Sequence, residues 1–243
     1  MRHNIFTVLE ILIKRNFLHL CLKNLETANS FSLEEAQQLD QALQLDSSSF
    51  KGVLFYSEGS RYFCSGGNLK KYAYMQKEEG LRVNDQIACV LEKLSQYPYP
   101  TCCVIEGDCY GGGMELISAF DYRISAPHSF LGFWQRKVGL SFGWGGEQRW
   151  KRLIPEGLLS RLYLEASHVS AYEAADLGLV DEVCSTSLLF QRAYSWLERA
   201  SSYFLDPLRD FKKQPKDEKS LFEKLWLGKA HRKALSPYKK QDN

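Results

Sequence analysis

Cys109-Tyr-Gly-Gly-Gly-Met-Glu-Leu-Ile-Ser-Ala-Phe120 sets three consecutive glycines, Gly111 to Gly113, between a β-like run and an apolar, helix-forming stretch. Without a Cβ in the way, backbone N–H groups in such a run can approach a ligand closely. The N-terminus of the helix that follows adds a partial positive field. Glu115 lies one turn inside that helix, beside whatever the N–H groups hold.

Working outward, the chain alternates strands and helices. Phe6 to Ile13 and Phe17 to Leu22, split by Lys14-Arg15-Asn16, read as a β-hairpin. Ser32-Leu-Glu-Glu35 is a capping box opening a helix to about Leu43, and Val53 to Ser57 reads as a strand. Arg61-Tyr-Phe-Cys-Ser-Gly-Gly-Asn-Leu-Lys70 is a second glycine-bearing loop between a strand and a helical stretch. Val83, Ile87, Val90, Leu91 and Leu94 predict a helix over Leu81 to Leu94, which Tyr97-Pro-Tyr-Pro100 stops. Thr101 to Glu106, Asp121 to Ala126 and Ser129 to Phe133 read as strands. Gly139 to Gly146 is a long loop, and Glu147 to Leu153 and Gly157 to Glu165 look helical. Ser170-Ala-Tyr-Glu173 is a second capping box with Gly178 as its stop, before a short strand at Val180 to Val183.

From about Leu188 glycine becomes rare, and Trp196, Phe204, Leu208, Phe211, Leu221, Phe222, Leu225 and Trp226 recur at helical spacing. The predicted organisation is therefore an α/β core over residues 1–187 and a helical region over 188–243, packed on the core or on a neighbouring subunit.

Bulk properties narrow the function classes. Lys+Arg of 31 against Asp+Glu of 29 leaves a net charge of +2, without the basic excess of a nucleic-acid binder. No stretch reaches the ~18 apolar residues of a membrane span. The N-terminus makes a poor signal peptide, so the expected location is cytoplasmic. Seven cysteines, mostly in apolar runs and without a Cys-x-x-Cys pair, read as buried reduced thiols, and no metal site is expected.

Two glycine loops at strand-to-helix junctions can aim two N–H donors at one oxygen, which is the chemistry of an oxyanion hole. One such loop is usually a tight turn; two, with Glu115 just beyond the second, say more.

Over about Phe6 to Val183 the chain resembles the crotonase (enoyl-CoA hydratase/isomerase) superfamily. Phe63-Cys-Ser-Gly-Gly-Asn-Leu69 is similar to its Phe-Cys-Ala-Gly-Ala-Asp-Leu loop, and Tyr97-Pro-Tyr-Pro100 to its Phe-Pro-Lys-Pro. Gly107-Asp-Cys-Tyr-Gly-Gly-Gly-Met-Glu115 is similar to Gly-x-x-x-Gly-Gly-Gly-x-Glu, Gly145-Gly-Glu-Gln-Arg149 to Gly-Gly-x-Gln-Arg, and Ala174-Ala-Asp-Leu-Gly-Leu-Val-Asp-Glu182 to Ala-x-x-x-Gly-Leu-Val-Asp-x. The resemblance implies a crotonase-like spiral of ββα repeats with two roughly perpendicular sheets. Its helical C-terminal region would make homotrimer contacts, with trimers pairing into hexamers. The ligand would be an acyl-CoA thioester, with coenzyme A entering as part of the substrate and no permanently bound cofactor. Gly67 and Gly112 take the oxyanion-hole positions, and Ser65, Gly66, Gly67, Asn68 and Leu69 form the loop that holds the CoA moiety. Glu115 matches the first catalytic glutamate.

The second glutamate is replaced. Its position falls on Gln135, and no Glu occurs from Phe130 to Trp144. Gln forms hydrogen bonds but cannot exchange a proton as a carboxylate does. Three functions remain open: a divergent hydratase or isomerase using Glu115 as sole acid/base, a methylmalonyl- or ethylmalonyl-type acyl-CoA decarboxylase, and a catalytically weak acyl-CoA-binding subunit. His128 and His168 read as structural, as does Arg149.

Overall fold

After an opening hairpin, the chain alternates between two sheets, three times laying a strand in the larger and then a strand in the smaller before its next helical segment. The computed structural model describes residues 8–59, 61–213 and 217–237; Phe6 and Thr7, at the start of the predicted hairpin, lie outside them. The hairpin is β1 (Leu9–Lys14) and β2 (Phe17–Leu22), closed by a turn in which Arg15 and Asn16 both have positive φ. Helix α1 (Leu33–Leu43) follows, with the capping box at Ser32 and Glu35 formed. Next come β3 (Val53–Ser57), β4 (Tyr62–Cys64), α2 (Leu69–Tyr72) and α3 (Lys77–Ser95). The next repeat is β5 (Thr101–Ile105), β6 (Asp108–Tyr110) and α4 (Gly112–Ile117). A third begins with β7 (Tyr122–Ser125) and β8 (Phe130–Gly132) and continues through α5 (Gly146–Leu153) and α6 (Glu156–Glu165). Short β9 (Val169–Ser170), α7 (Ala171–Asp176) and β10 (Glu182–Val183) complete the sheets.

The larger sheet has the order β1-β2-β3-β5-β7-β10 and the smaller β4-β6-β8-β9. Apart from the outer pairs β1/β2 and β8/β9, neighbours are parallel. Parallel β4, β6 and β8 have their C-terminal ends side by side, so the segments leaving them share one edge of the small sheet. That edge receives Ser65 to Asn68, Gly111-Gly112 and Phe133 to Gln135. The sequence reading did not separate β4 or β6, three residues each, from the loops around them. Between the predicted strand ending at Phe133 and the predicted loop starting at Gly139, Trp134–Val138 forms a 3-10 turn to which the sequence assigns no element.

The interior is aliphatic and aromatic: Leu18, Leu20, Phe55, Phe63, Ile87, Leu91, Met114, Leu131, Phe133 and Trp150 are buried in one cluster. A side chain of this size contributes ~1.5–3 kcal/mol on full burial. The remaining helices are α8 (Leu189–Ala200), α9 (Leu205–Lys212), α10 (Glu218–Leu225) and α11 (Lys229–Leu235). Helix α8 presents Leu189, Ala193 and Leu197, four residues apart, to Leu54, Cys102 and Val104 on the large sheet. Helix α9 is tied in by the Lys212 ammonium, which donates to Tyr97 O (2.9 Å), Tyr99 O (2.7 Å) and Asp121 Oδ2 (2.6 Å). No helix among the described residues is long and apolar enough to cross a membrane.

Candidate active site

The two glycine loops meet. A Cβ built on Gly66 would lie 3.0 Å from Gly112 N and 3.0 Å from Tyr110 O, and one on Gly113 would lie 2.6 Å from Cys64 O. Gly66 (φ +101°) and Gly111 (φ +54°) turn their loops with left-handed backbone. Gly111 N donates to Gly132 O (2.9 Å) and Phe31 N to Gly66 O (2.8 Å), which fixes both loops to their surroundings. The Gly67 N–H has no acceptor among the described residues. Gly112 opens α4, where a first-turn N–H has no partner within the helix. Both donors border one cavity of ≈ 160 Å³, together with Ser65, Gly66, Glu115 and Gln135.

Of the loop assigned to CoA, Ser65, Gly66, Gly67 and Leu69 reach the cavity wall and Asn68 does not. The Asn68 Oδ1 instead accepts from Lys71 N (3.1 Å), capping α2. A short side chain with a free oxygen at a helix start satisfies an otherwise orphaned N–H, and that use holds it against the backbone.

Glu115 is 2% exposed, and its carboxylate accepts four hydrogen bonds. Oε2 takes Trp144 N (2.8 Å) and Gly146 N (3.0 Å); Oε1 takes Gly143 N (3.1 Å) and Gln135 Nε2 (3.3 Å). The shorter pair anchors the segment leading into α5. The longer pair leaves Oε1 the oxygen more open to exchange partners. Arg149 braces the same segment from behind, donating to Glu115 O (3.1 Å), Trp144 O (2.8 Å) and Ser118 Oγ (2.9 Å). Burial lowers the Arg149 pKa, with Glu115 and Glu92 opposing.

Gln135 sits where the sequence placed it, 6% exposed and against Glu115. Its Nε2 also donates to Gly111 O (3.1 Å). Two acceptors facing Nε2 settle which end of the carboxamide is which, and Oε1 is left buried without a partner. Among the described residues no second carboxylate lines the cavity.

Aromatic side chains supply much of the remaining wall. The Trp144 indole lies over Gly112, whose imagined Cβ would fall 2.4 Å from Cζ3, and its Nε1 donates to Asn84 Oδ1 (2.7 Å). Trp134 stacks on Tyr110 at 3.7 Å, and the Lys137 ammonium sits 3.6 Å from the centre of its ring. Tyr72 packs against Gly67. The sequence reading gave Tyr72, Asn84 and Lys137 no role; each lies in a helical or turn segment with no motif to mark it.

Residues 13–231 match the Enoyl-CoA hydratase/isomerase family. The Enoyl-CoA isomerase/hydratase fer4 of Mycosarcoma maydis is 32% identical over 179 residues, covering 70% of this chain and 65% of that protein. The match thus spans a little under two thirds of that relative's length. The Ethylmalonyl-CoA decarboxylase of Mus musculus is 26% identical over 247 residues, covering 94% of this chain and 76% of the relative. The crystal structure of an enoyl-CoA hydratase from Bacillus anthracis superposes with a TM-score of 0.86 at 27% identity, covering 96% of each chain.

Proposed function

The chain belongs to the enoyl-CoA hydratase/isomerase family, and from that premise we propose that it is an acyl-CoA enzyme working through a thioester enolate. The observation that supports this reading is that Gly67 and Gly112, whose N–H groups have no acceptor among the described residues, both line one cavity walled by Glu115. A thioester oxygen placed between those donors gains negative charge as the α-carbon loses a proton. Fixed N–H dipoles stabilise that charge more than they stabilise the neutral carbonyl. Glu115 is the acid/base. With Gln135 in place of a second carboxylate, a double-bond shift suits the site best. One carboxylate takes the α-proton, and the same carboxylate returns it to the γ-carbon, so protons balance without a second carrier.

A second reading is decarboxylation of a malonyl-type acyl-CoA, in which loss of CO₂ leaves the same enolate. It is favoured by the missing carboxylate at Gln135 and by the long match to a relative named for that reaction. Both readings use the oxyanion donors and differ in which bond to the α-carbon breaks. Turnover of a 3-enoyl-CoA and of crotonyl-CoA, set against ethylmalonyl-CoA, separates them. Release of CO₂ with no isomerisation or hydration would replace the first reading with the second. Binding of acyl-CoA with no turnover of any of the three would make the chain a binding subunit. The exposed aromatic surface of the C-terminal helices is the face we assign to further copies of this chain, in a trimer or a hexamer.

A further inference from the structure

Five buried side-chain polar atoms among the described residues have no hydrogen-bond partner, and three of them, Tyr72 Oη, Trp134 Nε1 and Gln135 Oε1, belong to residues that line this one cavity. Buried polar groups are ordinarily paired, since each orphan gives up its bond to water and receives nothing in return. Their concentration in one wall marks a surface whose partners arrive with the ligand. Tyr72 is the member of the three placed beside the oxyanion loop. A Cβ on Gly67 would fall 2.7 Å from Tyr72 Cε2 and 3.1 Å from its Oη. The Trp144 indole N–H also lies near this oxygen, but it is a donor bonded to Asn84 Oδ1, and it offers the phenol proton no acceptor.

We propose that the Tyr72 hydroxyl is a third oxyanion donor, giving its hydrogen bond to the thioester oxygen alongside Gly67 N–H and Gly112 N–H. The inference rests on the thioester reading of the site. The local structure fits the role. Tyr72 ends the four-residue helix α2, whose start is capped by Asn68, the residue after Gly67. Tyr72 N donates to Asn68 O (3.0 Å), so a single turn carries both the Gly67 N–H and the phenol. This gives Asn68 its part in the site: it stays out of the cavity wall and positions Tyr72. Burial raises the Tyr72 pKa against the opposing Trp144 indole, the Glu115 charge adding to the rise, and keeps the phenol protonated as a donor.

The test is Tyr72→Phe, which keeps the ring on Gly67 and removes only the hydroxyl. Enolate formation is read as deuterium uptake at the α-carbon of butyryl-CoA in D₂O, a readout common to isomerase and decarboxylase chemistry. Acetoacetyl-CoA, titrated by its enolate absorbance, reports the bound enolate directly. We expect kcat for exchange to fall by about tenfold or more, butyryl-CoA affinity to change less than about twofold, and the enolate fraction of bound acetoacetyl-CoA to drop. Removing an orphan hydroxyl should leave the melting temperature equal to or above that of the unsubstituted protein. An exchange rate within about twofold of the unsubstituted protein, or a loss confined to KM, overturns the assignment. Failure of the unsubstituted protein to bind butyryl-CoA overturns the thioester reading and the Tyr72 role with it. Normal exchange in both proteins removes the Tyr72 role alone.

Discussion

Glu115 holds two jobs in one carboxylate. In the acid/base role proposed for it, it must exchange a proton with the substrate, yet four N–H groups already point at it, two of them fixing the approach to α5. This changes what its substitution reports. In Glu115→Gln, an amide NH₂ must face either Trp144 N and Gly146 N or Gly143 N and Gln135 Nε2, donor against donor. A buried donor left unsatisfied costs about 1–3 kcal/mol. The expected outcome is loss of α-proton exchange together with a lowered melting temperature, acyl-CoA binding being kept. Exchange at the original rate would remove Glu115 as the base, and an unchanged melting temperature would contradict the anchoring role. At this scale the sequence was informative where a motif fixed the position: Gly67, Gly112, Glu115 and Gln135 all reach the cavity. It was silent on Tyr72 and Asn84, because their place in the wall follows from how α2 and α3 lie across the sheet edge and not from local spacing.

Adjacent parallel strand ends assemble the site from segments far apart in sequence, and this explains what could be read in advance. The long amphipathic helix α3 and the capping boxes at Ser32 and Ser170 declare themselves through periodicity and caps. Strands β4 and β6, three residues each, are too short for any alternation to show, yet together with β8, which the run Ser129 to Phe133 marks in the sequence, they bring the loops together. The tightness of that assembly makes Gly146 a sensitive position. A Cβ there would lie 2.4 Å from Glu115 Cγ and 2.7 Å from its Cβ, and the four hydrogen bonds prevent Glu115 from yielding. Gly146→Ala is expected to cost about 1–3 kcal/mol in urea unfolding and to abolish exchange. Gly157→Ala, in helix α6 with nothing within 4 Å, should be neutral or slightly stabilising. Equal effects of the two would contradict the packing argument. A pH dependence belongs to this scale as well. Glu182 on β10 accepts from Tyr122 Oη on β7 (2.6 Å) and pairs with Arg192 on α8. Burial raises its pKa, but the Arg192 and Tyr122 bonds outweigh it and hold the carboxyl below its usual range. A depressed native pKa means that the unfolded chain binds more protons in the window between the two values. The Glu182 contribution is therefore complete above the ordinary glutamate value of about 4.3 and is lost as pH falls through the native one. Glu182→Gln should flatten the fall in melting temperature below about pH 4.3, while an identical acid limb would remove Glu182 from its cause.

The whole molecule leaves its C-terminal helices half covered. Lys212 pins α9 to the core through two carbonyls and Asp121, but Phe204, Phe211, Phe222 and Trp226 remain 41%, 70%, 60% and 54% exposed. Phe222 and Trp226 stack at 5.4 Å and, with Pro207, Leu225 and Ala234, wall an open apolar groove. Large exposed aromatic side chains gathered on one face mark an association surface. A closed ring of identical copies buries such a face on every subunit without leaving an open end. We propose further copies of the same chain as the covering partner, with trimer and hexamer as the expected states. Sedimentation equilibrium at micromolar concentration should give a mass of three or six chains. Phe222→Glu combined with Trp226→Glu places charges in the groove, away from the Lys212 anchor and from Glu115. That variant should sediment as a smaller species while its circular dichroism keeps the helical and sheet content of the parent. A monomer before substitution would refute self-association through this face. An intact trimer after it would move the contact elsewhere on the molecule.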